Sequence, residues 1–498
     1  MIRHIQTGAP AFAASEAALV LPLYGGTKRL SPGAAKLDRQ AGSLASLLLA
    51  DGFTGERGET RIASVKRGRR LVHTVLVGLG DPARADAENL SDAAGAAAKV
   101  LLAQRAPSAA IYLDDAAARG PLARADVAHA IAKAFGLATY QAGRKSAAGR
   151  MTRLSLLTAA PARELAPAIR RARQVVEWME RVRDWVNMPA NEMTPSVFVA
   201  EATDALKKDR IACRALTRAQ VEKAGMNGVL AVGAGSREEP RFLVAEYGMA
   251  NRNLPLVCLV GKGVTFDSGG ISIKPWEKMH EMKSDMAGAA SVVAALSLAA
   301  QLELPLRVVA LVPLVENMPD GTAFRPGDVI RLASGKTVEV LSTDAEGRLI
   351  LADAVAYARA HYQPTVIVDM ATLTGGVLIA LGTRIAAVLG NSPRDLDDMI
   401  EAGTRSGEPV WQLPLDDRFV AMIKGDVSDY KNYGGRNGSV ITAAALIGTS
   451  AGHARWVHID IAGTSWNDGT GASYQSRGGT ATGVDLLLRF LEIVAARS

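Results

Sequence analysis

The sequence predicts an α/β protein in two domains: a smaller N-terminal α/β domain and a larger C-terminal doubly wound, mostly parallel sheet. Three observations carry this reading. At 498 residues the chain is too long for one hydrophobic core. Short apolar runs of strand character alternate with longer stretches of helical spacing along most of its length. A long mixed-charge helical pattern separates an earlier block of this alternation from a later, larger one.

In the first block, strand-like runs at Leu71–Leu79, Ala109–Leu113 and Leu154–Thr158 alternate with helix-like runs at Asn89–Gln104 and Ala125–Tyr140. That order makes parallel strands joined by crossover helices. Gly78-Leu79-Gly80-Asp81-Pro82 follows a strand, but the missing third glycine and Pro82 spoil a dinucleotide fingerprint, so no chemistry is assigned to this block. From Arg163 to Val186, the residues Ile169, Arg173, Val176, Met179, Val182 and Val186 recur at spacings of three and four until Pro189. The domains are therefore placed at 1–162 and 191–498, joined by a connecting helix within 163–190.

In the second block, strands are expected at 242–246, 256–260, 308–314, 338–341, 365–369, 385–389 and 456–460, with helices at 286–300, 347–360 and 482–495. Wholly apolar runs such as Leu256–Val260 suit strands covered on both faces. Met286–Ala300 is the most membrane-like window, yet it is too short to span a bilayer and follows Lys283 and Asp285, so a buried helix is expected. Four motifs come straight after strands: Gly261–Gly270, Ser342–Arg348, Thr372–Gly376 and Ile461–Ser465. The carboxyl ends of such strands line the ligand crevice of an open α/β sheet, so the motifs converge on one edge.

Among the charged residues of these motifs and the adjoining segment 271–288 are the four carboxylates Asp267, Asp285, Asp344 and Glu346 and the two lysines Lys262 and Lys274, which sit in Gly-broken loops. A charged residue ordinarily just faces water. Four carboxylates desolvated in one crevice, however, repel unless cations neutralise them. Four negative charges match two divalent metals. The ligand set is almost all oxygen, without thiolate or histidine, which disfavours a structural zinc site and suits Mn, Mg or a catalytic zinc pair. An ammonium cannot coordinate a metal, but adjacent cations and burial both lower a lysine pKa from roughly 10.4, so Lys262 can act as a neutral ligand.

On these residues the sequence resembles the M17 leucyl aminopeptidase family, the cytosol aminopeptidases that include the bacterial aminopeptidase A type. Ser342-Thr343-Asp344-Ala345-Glu346-Gly347-Arg348 stands for the family signature, with Ser342 where the family usually has Asn. Gly261–Gly270, Met282–Gly288, Thr372–Gly375 and Arg183–Asn191 match its other landmarks, and the resemblance runs from about residue 170 to the end. It implies a two-metal exopeptidase that removes Leu-like or Met-like residues from peptides with a free N-terminus, using Mn or Zn. One ion would be held by Lys262, Asp267, Asp285 and Glu346, and the other by Asp267, Glu346 and Asp344, the last with side chain and backbone carbonyl. The resemblance further implies that Lys274 polarises the scissile carbonyl, that Arg348 holds a bicarbonate acting as base, and that Met282, Thr372 and Gly375 line the side-chain pocket. A homohexamer is the family's assembly.

Two alternatives stand beside this. Asp267-Ser268-Gly269-Gly270 matches the nucleophile loop of chymotrypsin-like proteases. Those are all-β barrels, however, Phe266 replaces their glycine, and a histidine base would have to come from His280 or elsewhere. His280 sits among Glu277, Lys278 and Glu281 in a polar stretch, and no histidine is assigned a role. The other alternative is a nucleic-acid-binding protein acting through Arg61, Lys66, Arg67, Arg69 and Arg70, although a net charge of +7 is mild for this length and a solvated strand and turn explains the cluster.

Two cysteines, Cys213 and Cys258, imply no disulfide framework and suit a reducing cytoplasm. The N-terminus lacks a compact apolar segment followed by a cleavage site, so no secretory signal is expected, and no membrane association.

Overall fold

The computed structural model describes residues 2, 4–120, 122–140 and 151–497. It forms two compact units, the first comprising Met1–Glu180 with Thr404–Gly407 and Asp468–Arg477, the second the remainder. The division falls inside the helix Ala162–Asn187.

The first unit is built on a six-stranded sheet in the order His4–Gly8, Arg153–Leu157, Ser108–Tyr112, Ala18–Leu23, Arg70–Gly78, Thr60–Arg67. Its first five strands run parallel and the last closes an antiparallel hairpin. Ala18–Leu23 is an interior strand although it contains Pro22, a residue that argues against such a position because it has no N–H for the ladder. Arg61, Lys66, Arg67, Arg69 and Arg70 all lie exposed on the edge hairpin.

The second unit is organised by a nine-stranded sheet. Its path runs Val410–Gln412, Ala386–Gly390, Trp456–Asp460, Val366–Ala371, Leu256–Gly261, Arg307–Asn317, Arg241–Tyr247, Ala212–Leu216. The four strands from Trp456–Asp460 to Arg307–Asn317 are mutually parallel, and antiparallel strands flank them on both sides. Along Leu256–Gly261, alternate side chains Leu256, Cys258 and Val260 join the core with helices Gly347–Tyr362 and Ser439–Ala451. Val257 and Leu259, on the other face, are equally buried, so helices cover both sides. Ala287–Gln301 is the buried helix expected there. Among the described residues no helix is long and apolar enough to cross a membrane, and Cys213 and Cys258 are both free thiols.

Two departures from the expected layout bear on the site. Residues 338–341 were expected in the main sheet. Instead Thr337–Glu339 is the middle strand of a separate three-stranded sheet, antiparallel to Val329–Arg331 and parallel to Tyr430–Lys431. The strand stops there because the amides of Leu341 and Ser342 turn to a side chain, the Oδ1 of Asn432. In addition, the segment after Lys262 is not a loop. Gly263–Asp267 forms a further strand along the end of Arg307–Asn317, with a register shift between Val264 and Phe266. That irregularity delivers Asp267 to the carboxyl edge of the sheet.

Candidate metal centre

Lys262 follows the central strand Leu256–Gly261, with its amide bonded to Met370 O at 3.0 Å and its carbonyl to Ala289 N at 2.9 Å. Its Nζ lies 2.7 Å from Asp285 Oδ1, 2.8 Å from Glu346 Oε1 and 2.9 Å from Thr372 O. Lys274 reaches back to Asp267 Oδ2 at 2.8 Å and also to Asp344 Oδ1. The two lysines thus gather all four carboxylates, drawn from three separate stretches of chain, into one place.

Asp267, Asp285 and Glu346 are buried and offer oxygens that all lie within 4.8 Å of one another. Asp344 differs from expectation in remaining exposed at the crevice. Burial is the main force raising the pKa of Asp285 and of Glu346; Asp267 adds to it, while Lys262 opposes it. Burial also raises the Asp344 pKa, and Lys274 pulls against it. For Lys262, burial favours the neutral amine, yet Asp285, Glu346 and Asp267 outweigh it and hold the group above the ordinary lysine range. Lys274 is held up in the same way by Asp267, Glu346 and Asp344. The carboxylates alone therefore keep Lys262 protonated, and only a cation among them reverses that field and frees its lone pair.

The residues fit such a cation. Asp285 Oδ2 is buried without a hydrogen-bond donor, a deficit that a metal among oxygen ligands corrects. Hard oxygen donors suit divalent cations of the Mn, Mg or catalytic zinc type.

Several residues without a sequence signal hold this arrangement. Asn317, buried at the end of its strand, donates from Nδ2 to Asp267 Oδ1 at 2.8 Å and to Thr343 O at 3.0 Å. The Gly269 amide meets the same Asp267 oxygen at 2.9 Å. Thr343 Oγ1 donates to Gly269 O at 2.6 Å and accepts from Ser272 N at 2.8 Å, locking the two acidic loops together. Asp460, at the end of its strand, accepts from Thr374 Oγ1 at 2.7 Å and Leu373 N at 3.2 Å. An Asn closing an apolar run, as in Leu314-Val315-Glu316-Asn317, was the one available hint.

Of the residues expected to line the side-chain pocket, Thr372 donates its hydroxyl to Asp285 Oδ1 at 2.7 Å. Met282 is half-buried in the short 3₁₀ turn Met279–Ser284 that leads to Asp285. Gly375 opens the helix Gly375–Leu381, exposed, with nothing within 4 Å of where a Cβ would stand. Arg348 is buried in the first turn of Gly347–Tyr362, donating from Nη1 to Asn432 O at 2.9 Å, while its Nε has no partner. Ser342 Oγ accepts the Asp344 amide at 3.3 Å, a local turn bond of the kind an Asn side chain also makes. Ser268 is a poor nucleophile here: its buried hydroxyl donates to Asn317 O at 2.7 Å and accepts from Gly270 N at 3.2 Å.

Buried carboxylates in a strand-end crevice, backed by two lysines, fit the class of metal-dependent hydrolases. Comparison with known proteins makes the class particular. Residues 180–488 match the catalytic domain of the cytosol aminopeptidase family and residues 20–147 its N-terminal domain. The chain belongs to the cytosol aminopeptidase family, and is a metal-dependent aminopeptidase. A "Probable cytosol aminopeptidase" of Syntrophotalea carbinolica is 42% identical over 460 residues, covering 91% of this chain and 92% of that protein. One from Cenarchaeum symbiosum is 39% identical, covering 88% of this chain and 89% of its own length. Among solved structures, the bottromycin maturation enzyme BotP in complex with Mn superposes with a TM-score of 0.84 at 32% identity, over 97% of this chain and 100% of that one.

Proposed function

We propose that the chain is a two-metal exopeptidase that removes Leu-like residues from peptides with a free N-terminus. The observation that carries this is the buried triad Asp267, Asp285 and Glu346 facing Lys262, with Asp344 and Lys274 beside it. Lys262, Asp267, Asp285 and Glu346 would hold one divalent ion, and Asp267, Asp344 and Glu346 the other. Bound there, Mn or Zn supplies a water of lowered pKa and Lewis acidity toward the scissile carbonyl. Lys274 donates to the carbonyl oxygen and stabilises the charge that develops on it. Arg348 Nε, buried and without a partner, is a donor for a small anion such as bicarbonate, which takes the place of a side-chain base. Met282, Thr372 and Gly375 flank the substrate side chain, Thr372 acting chiefly through its bond to Asp285. The Mn in the BotP complex supports the choice of metal. A homohexamer in the cytoplasm is the assembly and location that the family resemblance favours.

The test compares a Leu-peptide with its N-acetyl analogue, each with added Mn or Zn. Acetylation ties the amine lone pair into an amide, removing the group that fixes the register of cleavage. Hydrolysis of the free peptide alone, one residue from the N-terminus, is expected. Comparable cutting of the blocked peptide would sink the exopeptidase reading.

A further inference from the structure

Asn432 lies far along the chain from every residue given a role above, yet it is fully buried and every polar atom it owns is engaged. Its Oδ1 accepts from Leu341 N at 2.8 Å and Ser342 N at 3.3 Å. Its Nδ2 donates to Ser342 O at 2.6 Å and Ala345 O at 3.3 Å. Rotating the amide by half a turn would set donor against donor and acceptor against acceptor at all four positions, so the network admits one orientation. Asn432 N donates to Glu339 O at 3.0 Å, and its carbonyl accepts from Arg348 Nη1 at 2.9 Å.

We propose that Asn432 is the positioning residue that holds the loop 341–346 in its ligand-presenting shape and keeps Arg348 in register with it. The proposal rests on Asp344 and Glu346 being metal ligands. Loop 341–346 has left one sheet and not yet entered the helix Gly347–Tyr362, so its peptide groups have no ladder of their own. One carboxamide replaces that ladder. An aspartate in the same place would direct oxygen at the carbonyls of Ser342 and Ala345, and an alanine would leave all four peptide groups without this partner.

The segment carrying Asn432 is itself clamped. Glu339 accepts from Asp426 N at 2.7 Å and Val427 N at 3.4 Å, and Ser428 Oγ accepts from Glu339 N at 3.0 Å. Support of this kind around a metal ligand is generally worth about 10- to 100-fold in metal affinity or activity.

The full chain is titrated with Mn²⁺ by calorimetry, for the wild type, Asn432→Asp and Glu346→Ala, and kcat and KM are measured on a Leu-peptide. Asn432→Asp should weaken Mn²⁺ binding about 10- to 100-fold and lower kcat with KM little changed, with partial recovery at excess Mn²⁺. Should that variant not fold, Glu339→Gln loosens the same clamp without touching loop 341–346 beyond its hinge. It should shift Mn²⁺ affinity in the same direction by a smaller factor. A folded Asn432→Asp with wild-type Mn²⁺ affinity, or a lower Tm with affinity and kcat unchanged, overturns the proposal. The same holds for a Glu339→Gln variant with unaltered affinity. Glu346→Ala separates the two layers: if it keeps all its Mn²⁺, the ligand reading fails and the proposal with it. If it loses Mn²⁺ while Asn432→Asp does not, the proposal alone fails.

Discussion

Gly347 makes room for Lys262: a Cβ on Gly347 would stand 2.5 Å from Lys262 Cε and 2.8 Å from its Nζ. The glycine is needed for this close approach, since the lysine stem passes across the start of the helix Gly347–Tyr362 to meet Asp285 and Glu346. Gly347→Ala should therefore push Lys262 off both carboxylates while leaving the fold intact. A loss of metal affinity or activity of about 10- to 100-fold is expected, the usual effect of disturbing a ligand's support. Elemental analysis and peptide hydrolysis read it, and a variant indistinguishable from wild type would show that Lys262 does not need its present position.

Asp267→Ala and Glu346→Ala should each abolish hydrolysis and release at least one metal per chain. In the proposed two-metal site each carboxylate would serve both cations, so its removal would unbalance two charges at once. Two full equivalents of metal in either purified variant would contradict the assignment.

Lys274→Ala should lower kcat by about 100- to 1,000-fold, the usual effect of losing one donor to a developing oxyanion. Metal content should not fall, because the ammonium now paired with Asp267 and Asp344 competes with a cation for those oxygens. A change confined to KM would mean that Lys274 only binds substrate.

Asp353 sits in the same helix as Arg348, fully buried, accepting from Ala333 N at 2.7 Å and Val229 N at 3.1 Å. Burial pushes its pKa up to about 7, against the backbone amides that favour the charged form. An acid whose pKa is raised on folding gives its full stabilisation below its unfolded value of about 3.9 and loses it as pH climbs through the folded value. Asp353→Asn mimics the protonated form and has no such dependence. The Tm margin of wild type over the variant should thus narrow from about pH 4 to about pH 7 and then level off. A margin that widens over this interval is incompatible with a raised Asp353.

Much of the architecture was legible because burial writes itself into composition. The apolar runs at 256–260 and 308–314 and the helix after Asp285 suit the inside of a sheet protein, and they lie there. The short edge and side strands were not legible. Thr337–Glu339 has too few residues to show whether it pairs with the main sheet or another, and its partner Tyr430–Lys431 is fixed by the bonds around Glu339. The acidic residues announced themselves by charge placed after apolar runs. Asn317, Thr343 and Asn432 did not, since an amide or hydroxyl that satisfies buried backbone looks in sequence like any polar loop residue.

The first unit borrows Thr404–Gly407 and Asp468–Arg477 from late in the chain. Asp92 Oδ1 accepts the amide of Ser473, 381 positions onward, and the buried Lys133 donates to Ser406 O, 273 positions onward. During synthesis these partners leave the ribosome long after the strands and helices they meet. The N-terminal sheet can assemble early, but the helices Ala87–Ala103 and Arg124–Ala138 wait for partners translated after the acidic loops, so the first unit is completed late. Stalling or cleavage before residue 468 therefore leaves the first-made half, not only the last, short of its native contacts. Quality control of a truncated chain would find its exposed surface near the amino end.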